Sequence, residues 1–159
     1  MVDLAQRQNW MATLAKAPLE ILESLVGQVD NVPEYQFLRS PETGLTMVRA
    51  RAGGVGKVFN LGDMTLTRCV VQLAVEASTD HFGSQSEPIA GFGYVSGRSH
   101  RHAELAALCD GLLQLGGWHD AIMAKVVEPL GAIAQEKRVQ KQQQTAATKV
   151  DFFTLLRGE

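Results

Sequence analysis

Cysteine is scarce in this sequence: Cys69 and Cys109 are the two present among 159 residues. Each lies inside an apolar run, which reads as a buried free thiol in a reducing compartment rather than part of a disulfide framework. Whether the two could bond to each other is a question of geometry that spacing leaves open. Long apolar runs are missing as well. No stretch approaches the roughly 20 residues that span a bilayer. The first residues, Met1 to Gln8, have no basic start followed by an apolar core, so no secretory signal is read there. These absences predict a soluble, cytoplasmic chain. An excess of one charge sign is also lacking. The formal net charge of -2 gives no push toward nucleic acid or anionic lipid, so neither a nucleic-acid nor a membrane partner is expected. There is no internal repeat, no Gly-x-Ser-x-Gly elbow, and no activating base next to either cysteine in sequence. No pair of carboxylates placed for acid–base work stands out.

What is present fits one folded domain. Apolar residues make up 45% of the chain and charged residues 20%, which argues against disorder, and 159 residues suffice for a real core. Residues 3 to 16 are predicted helical, with Leu4, Trp10, Met11, Leu14 and Ala15 on one face. Pro18 suits the first turn of a second helix whose inward residues are Leu19, Leu22, Leu25 and Val26, and the pair reads as a helical hairpin. Tyr35–Leu38 and Leu45–Ala52 read as strands joined by a turn at Ser40–Gly44. Gly53–Gly56 is a break, Val58–Leu61 a short strand and Gly62-Asp63 a tight turn. Thr65–Val75 alternates with both faces partly apolar, which predicts a central strand covered at least partly on both sides. Residues 76–90 read as a loop and Gly91–Val95 as a last strand. Ser99 is the predicted N-cap of a helix with Leu105, Leu108, Cys109, Leu112 and Leu113 inward. Gly116-Gly117 stops it, residues 118–127 are helical again, and Pro129 kinks or restarts that helix. The expected fold is α+β: an N-terminal helical hairpin, an antiparallel sheet of four to five strands, C-terminal helices and an extended C-terminal arm. The division expected is a domain over 1–135 and, over 136–159, a polar arm ending in an apolar hook.

Three sequence features bear on chemistry. Arg51–Val58 superficially suggests a phosphate loop, but position 51 is Arg where the pattern wants Gly. Position 58 is Val where a magnesium-holding hydroxyl belongs, so no autonomous nucleotide site is read. In His100-Arg101-His102-Ala103-Glu104, the two histidines point about 200° apart on a helix and cannot easily share a metal. His100 and Glu104 could, but two ligands make a poor zinc site, and no metal is expected. The arginines Arg49, Arg51, Arg68 and Arg98 form the third feature. Arg68 lies among apolar residues of the central strand and is expected in an internal ion pair, with Asp63, Glu104 or Asp110 as partner. Arg51, Arg68, Arg98, His102 and Glu104 are candidate anion or subunit contacts, with no catalytic residue assigned.

The ordered set of Arg7–Met11, Glu42–Leu45, Arg51–Gly56, Gly62–Arg68, Gly97-Arg98 followed by His102–Glu104, and the ending Val150–Gly158 resembles the PhnG family, the G subunit of carbon–phosphorus lyase. The Gly-Asp-x-Thr-Leu-Thr-Arg and terminal Asp-Phe-Phe-Thr pieces are the most specific. Residues 76–90 look longer than the family pattern, which marks that loop as peripheral. The resemblance implies a subunit that joins the H, I and J subunits in a core complex served by the ATPase-like K and L subunits. With H, I and L it is implied in displacing the adenine of ATP by an alkylphosphonate at the ribose C1′. The product is a ribose 1-alkylphosphonate 5-triphosphate. The resemblance also implies a nucleosidase-like I subunit. It further implies that the J subunit breaks the carbon–phosphorus bond with an iron–sulfur cluster and S-adenosylmethionine. No cofactor is expected on this chain and no activity for it alone. The hook residues Phe152, Phe153, Leu155 and Leu156 are expected to dock on another chain, or on a second copy by arm exchange when the protein is made alone. A rival reading is a stand-alone anion or small-molecule binding protein using Arg51, Arg68 and His102.

Overall fold

A computed structural model describes residues 3–73 and 88–148. The fold is α+β, with helices before and after a three-stranded antiparallel sheet. Helix α1 spans Leu4–Lys16 and is opened by Asp3, whose carboxylate accepts from the Ala5 N–H. Helix α2, Leu19–Val26, begins directly after Pro18. Strands β1 (Tyr35–Arg51), β2 (Val58–Leu73) and β3 (Ile89–Ser96) follow in the spatial order β1-β2-β3. Then come α3 (His100–Gln114), α4 (Gly116–Ile122), a π-helical turn (Met123–Val127) and α5 (Glu128–Ala147).

Helix α3 is the centre of the molecule. Eleven of its 15 residues are buried, because β2 and β3 cover one side while α1, α2 and α4 pack on others. A helix apolar nearly all round is one enclosed by neighbours. Its approach to the sheet is unusually close. A Cβ added at Gly93 would fall inside the contact distance of the Ala103 carbonyl, and one at Gly91 would overlap the Ala107 carbonyl and the Gly111 backbone. Glycine on the strand and Ala103, Ala107 and Gly111 on the helix let the two backbones meet. Cys69, Val71, Leu73 and Val95 face this helix and complete the core with Trp10, Leu14, Leu22, Ile122, Val126 and Leu130. Cys69 and Cys109 are both buried and free.

The sheet has three strands where four to five were expected, because two predicted turns are irregularities inside long strands. Ser40–Gly44 lies within β1, with register shifts between Phe37 and Arg39 and between Arg39 and Glu42. Pro41 is tolerated there because β1 is an edge strand with one side unpaired. Gly62-Asp63 likewise lies within β2, beside a bulge that sets Val48 opposite Gly62 and Arg49 opposite Asn60. The true hairpin turn is Ala52–Lys57, where Gly53 and Gly54 take positive φ values of 59° and 81°. Strand β3 pairs only with Leu66–Leu73 of β2. Residues 45–65 therefore form a two-stranded ribbon that runs past the end of the three-stranded sheet.

The helices after the sheet also differ in detail from expectation. Gly116-Gly117 opens α4 rather than following a gap, and Leu115 makes the break. The run from α4 to α5 is continuous, and its π-helical turn sits just before Pro129, where the Glu128 N–H reaches back to the Met123 carbonyl. Proline supplies no N–H and its ring crowds the carbonyl four residues earlier, and a widened turn relieves that conflict. The polar stretch from Glu136 is helical through Ala147 and exposed throughout. No helix among the described residues is long and apolar enough to cross a membrane. The hook residues Phe152, Phe153, Leu155 and Leu156, and most of the predicted 76–90 loop, lie outside the described residues.

Candidate functional site

The segment His100–Glu104 is a junction at which α3 meets four other elements. Ser99 caps the helix by accepting from the His102 N–H. His102 is buried, and its Nε2 lies 2.8 Å from the Leu14 carbonyl at the end of α1. A carbonyl only accepts, so Nε2 carries the proton and the ring closes off α1. Arg101 reaches Glu23 on α2 at 3.3 Å and Glu104 at 3.2 Å. Glu104 accepts a 2.6 Å hydrogen bond from the Tyr35 hydroxyl at the start of β1. Burial, followed by this bond to a carboxylate, raises the Tyr35 pKa. His100 meets the root of the ribbon. Thr67 donates to the Gly97 carbonyl at 2.7 Å, so it must accept from Thr43 at 3.0 Å, and Thr43 accepts from His100 Nε2 at 3.1 Å. Ala103 is the residue that meets Gly93. Each position thus serves a different contact.

Arg68 departs from its expected environment. It is half exposed on the sheet face away from α3, and its Nε donates to Glu42 on β1 at 2.5 Å. Arg39 joins the same carboxylate at 2.8 Å. None of the partners expected for Arg68 is used. The apolar residues beside it, Leu66 and Val70, are only half-buried, because no described helix lies over that face. The bond from Arg68 holds the Glu42 pKa below the usual carboxylate range. Arg51 lies at the end of the ribbon and donates to the Gly56 carbonyl at 3.3 Å. Arg98 is exposed in the β3–α3 connection.

The five sequence candidates therefore do not converge. Glu104 and His102 sit on α3 and serve its packing, Arg68 lies on the opposite face of the sheet, and Arg51 is at the ribbon tip. A groove of about 600 Å³ between α1 and α5 is lined by Asn9, Thr13, Lys16, Leu130, Ile133 and Lys137, and none of the five reaches it. Among the described residues, no three His, Cys, Asp or Glu side chains gather as a metal site would need. Burial pushes the Cys69 thiol up to about 11 and the Cys109 thiol up to about 12, which suppresses the thiolate a nucleophile requires.

The buried charge sits elsewhere, at Asp110 in the middle of α3, fully enclosed. Its Oδ1 accepts from Trp10 Nε1 at 2.9 Å and Arg7 Nε at 3.2 Å. Its Oδ2 accepts from Arg7 Nη2 at 2.7 Å, the Phe92 N–H at 3.0 Å and Gln114 Nε2 at 3.3 Å. Gln114 also donates to the Ala90 carbonyl at 3.0 Å. Ala90 and Phe92 lie on β3, which no other strand borders on that side. Side chains of α3 thus occupy backbone groups of an edge strand that would otherwise be open. Arg7 completes the arrangement by lying over the Phe92 ring, 5.6 Å from its centroid. The signal in the sequence was an aspartate inside an apolar helical run, with Arg7 and Trp10 one turn apart on α1.

The family model for phosphonate metabolism protein PhnG matches residues 5–158. The chain belongs to the PhnG family. A relative from Rhizobium meliloti (strain 1021), named alpha-D-ribose 1-methylphosphonate 5-triphosphate synthase subunit PhnG, is 38% identical over 156 residues. That alignment covers 98% of this chain and 92% of the relative. The PhnG match spans the α3 junction, the Asp110 network and the ribbon together.

Proposed function

We propose that this chain is the G subunit of an α-D-ribose 1-methylphosphonate 5-triphosphate synthase. The observation that carries the reading is the 38% identity to a named subunit of that synthase along 98% of the chain. In this reading it assembles with H, I and J subunits, served by K and L, and acts with H, I and L in the first step. There the C1′–N9 bond of ATP breaks, an oxygen of the alkylphosphonate bonds to C1′, and adenine leaves. The chain's own part is architectural, since its polar side chains are spent on joining helices to the sheet. Iron–sulfur and S-adenosylmethionine chemistry belongs to the J subunit.

Adenine release from ATP with methylphosphonate tests the reading. The H, I and L subunits should release adenine only when this chain is added, and this chain alone should release none. Turnover by the isolated chain, or full turnover by the other three without it, overturns the proposal.

A further inference from the structure

The ribbon of residues 45–65 has no covering layer among the described residues, and its composition is unusual for such a position. Leu45 (74% exposed), Val55 (92%) and Leu61 (65%) stand in water, with Met47, Val58 and Phe59 also exposed. A two-stranded ribbon in water is marginally stable by itself, and contiguous exposed apolar side chains mark an interaction surface. Directly opposed residues share a face, so Leu45, Met47, Arg49 and Arg51 line one side with Thr65, Asp63, Asn60 and Val58. That side carries apolar residues toward the root and basic ones toward the tip.

Charge decides which partner fits. Residues 45–65 hold Arg49, Arg51 and Lys57 against a single acid, Asp63. Among the described residues, none of these three cations reaches a carboxylate within salt-bridge distance. A symmetric contact between two ribbons would set these cationic tips against each other, which disfavours a second copy. We propose that the ribbon is the subunit-docking arm of this protein, seated in an apolar-floored groove with acidic walls on a different subunit of the synthase. The proposal rests on the subunit reading above and names the surface that makes it work. Apolar side chains of the root supply burial, and the tip cations give salt-sensitive steering and register.

Assembly of the full chain with the other purified synthase subunits tests this, measured by titration at two salt concentrations. The wild-type chain should join the complex more weakly at high salt. The R49E/R51E/K57E variant should assemble roughly tenfold or more weakly, while melting as the wild type does, because exposed unpaired charges contribute little to folding. L45S/L61S, which keeps every charge, should also weaken assembly. Failure of the wild-type chain to assemble at all removes the subunit reading itself. Wild-type assembly with unchanged affinity in both variants overturns the docking arm and leaves the subunit reading standing. So does loss of a homodimer of the free chain as the variants' main effect, or binding lost on deleting residues 150–159 but kept in both ribbon variants.

Discussion

Replacing Asp110 with alanine should be among the most damaging single changes in this protein. The carboxylate is fully enclosed, and five donor contacts end on it. Two of those donors, Trp10 Nε1 and the Phe92 N–H, sit where water cannot readily replace the lost oxygen. An unsatisfied buried donor costs about 1–3 kcal/mol. Arg7 counts for less, since its side chain is 27% exposed and can turn to solvent. Together these give about 3–5 kcal/mol, the range for breaking a buried ion pair by removing one member. For a chain of this size that is a fall in melting temperature of roughly 6–20 °C. Asp110→Asn keeps the shape but turns an NH₂ toward donors in either orientation, so it should be nearly as harmful. Urea unfolding of both variants is the assay, read as a change in midpoint at constant slope. A loss below about 1 kcal/mol in the alanine variant would refute the reasoning that this carboxylate ties α1, α3 and the β3 edge together.

Gly93→Ala should cost about 3 kcal/mol or more, or leave no folded protein, because the added methyl meets the Ala103 carbonyl; circular dichroism during thermal melting checks it. Arg68→Ala should cost less than about 1 kcal/mol, since its pair with Glu42 is half exposed; a urea midpoint matching the wild type within that margin is the expected result. Both thiols should resist iodoacetamide at pH 8.5 in the folded protein and react in urea, as their raised pKa values require. The same shifts have a sign for stability. The folded state holds the thiol protons more tightly, so their contribution is present below pH 9 and is lost as pH rises toward 11 and 12.

The helices were legible because their signals are local: Ser99 as a cap, the Leu105–Leu113 stripe, Pro129 as a disturbance. The sheet was harder to read. Ser40–Gly44 and Gly62-Asp63 carry the residues of turns, and those residues also serve bulges in an edge strand, so local chemistry left the two possibilities undivided. Arg68 was misread for a related reason. Half-apolar faces on both sides of β2 suggested two covering layers, but one face is open, and an open face tolerates a charge. The junction at His100–Glu104 was visible as a cluster of polar residues, yet its meaning depended on Leu14, Tyr35, Glu23 and Thr43, which are distant in sequence. Asp110 was noted only as a possible partner for Arg68, since nothing short of the folded chain brings Arg7, Trp10 and Phe92 to it.

The π-helical turn at Met123–Val127 acts as a phase setter. It holds one residue more than an α-helical turn would need, and each residue of an α-helix advances the azimuth by about 100°. Deleting a single residue there would let the helix run regularly, and everything after it would rotate by that angle. Leu130, now buried, would leave the core, and the exposed stretch from Glu136 to Ala147 would present a different side to whatever lies beyond it. A deletion of one residue in this turn is thus a larger change than most substitutions around it, because it redirects a whole helix.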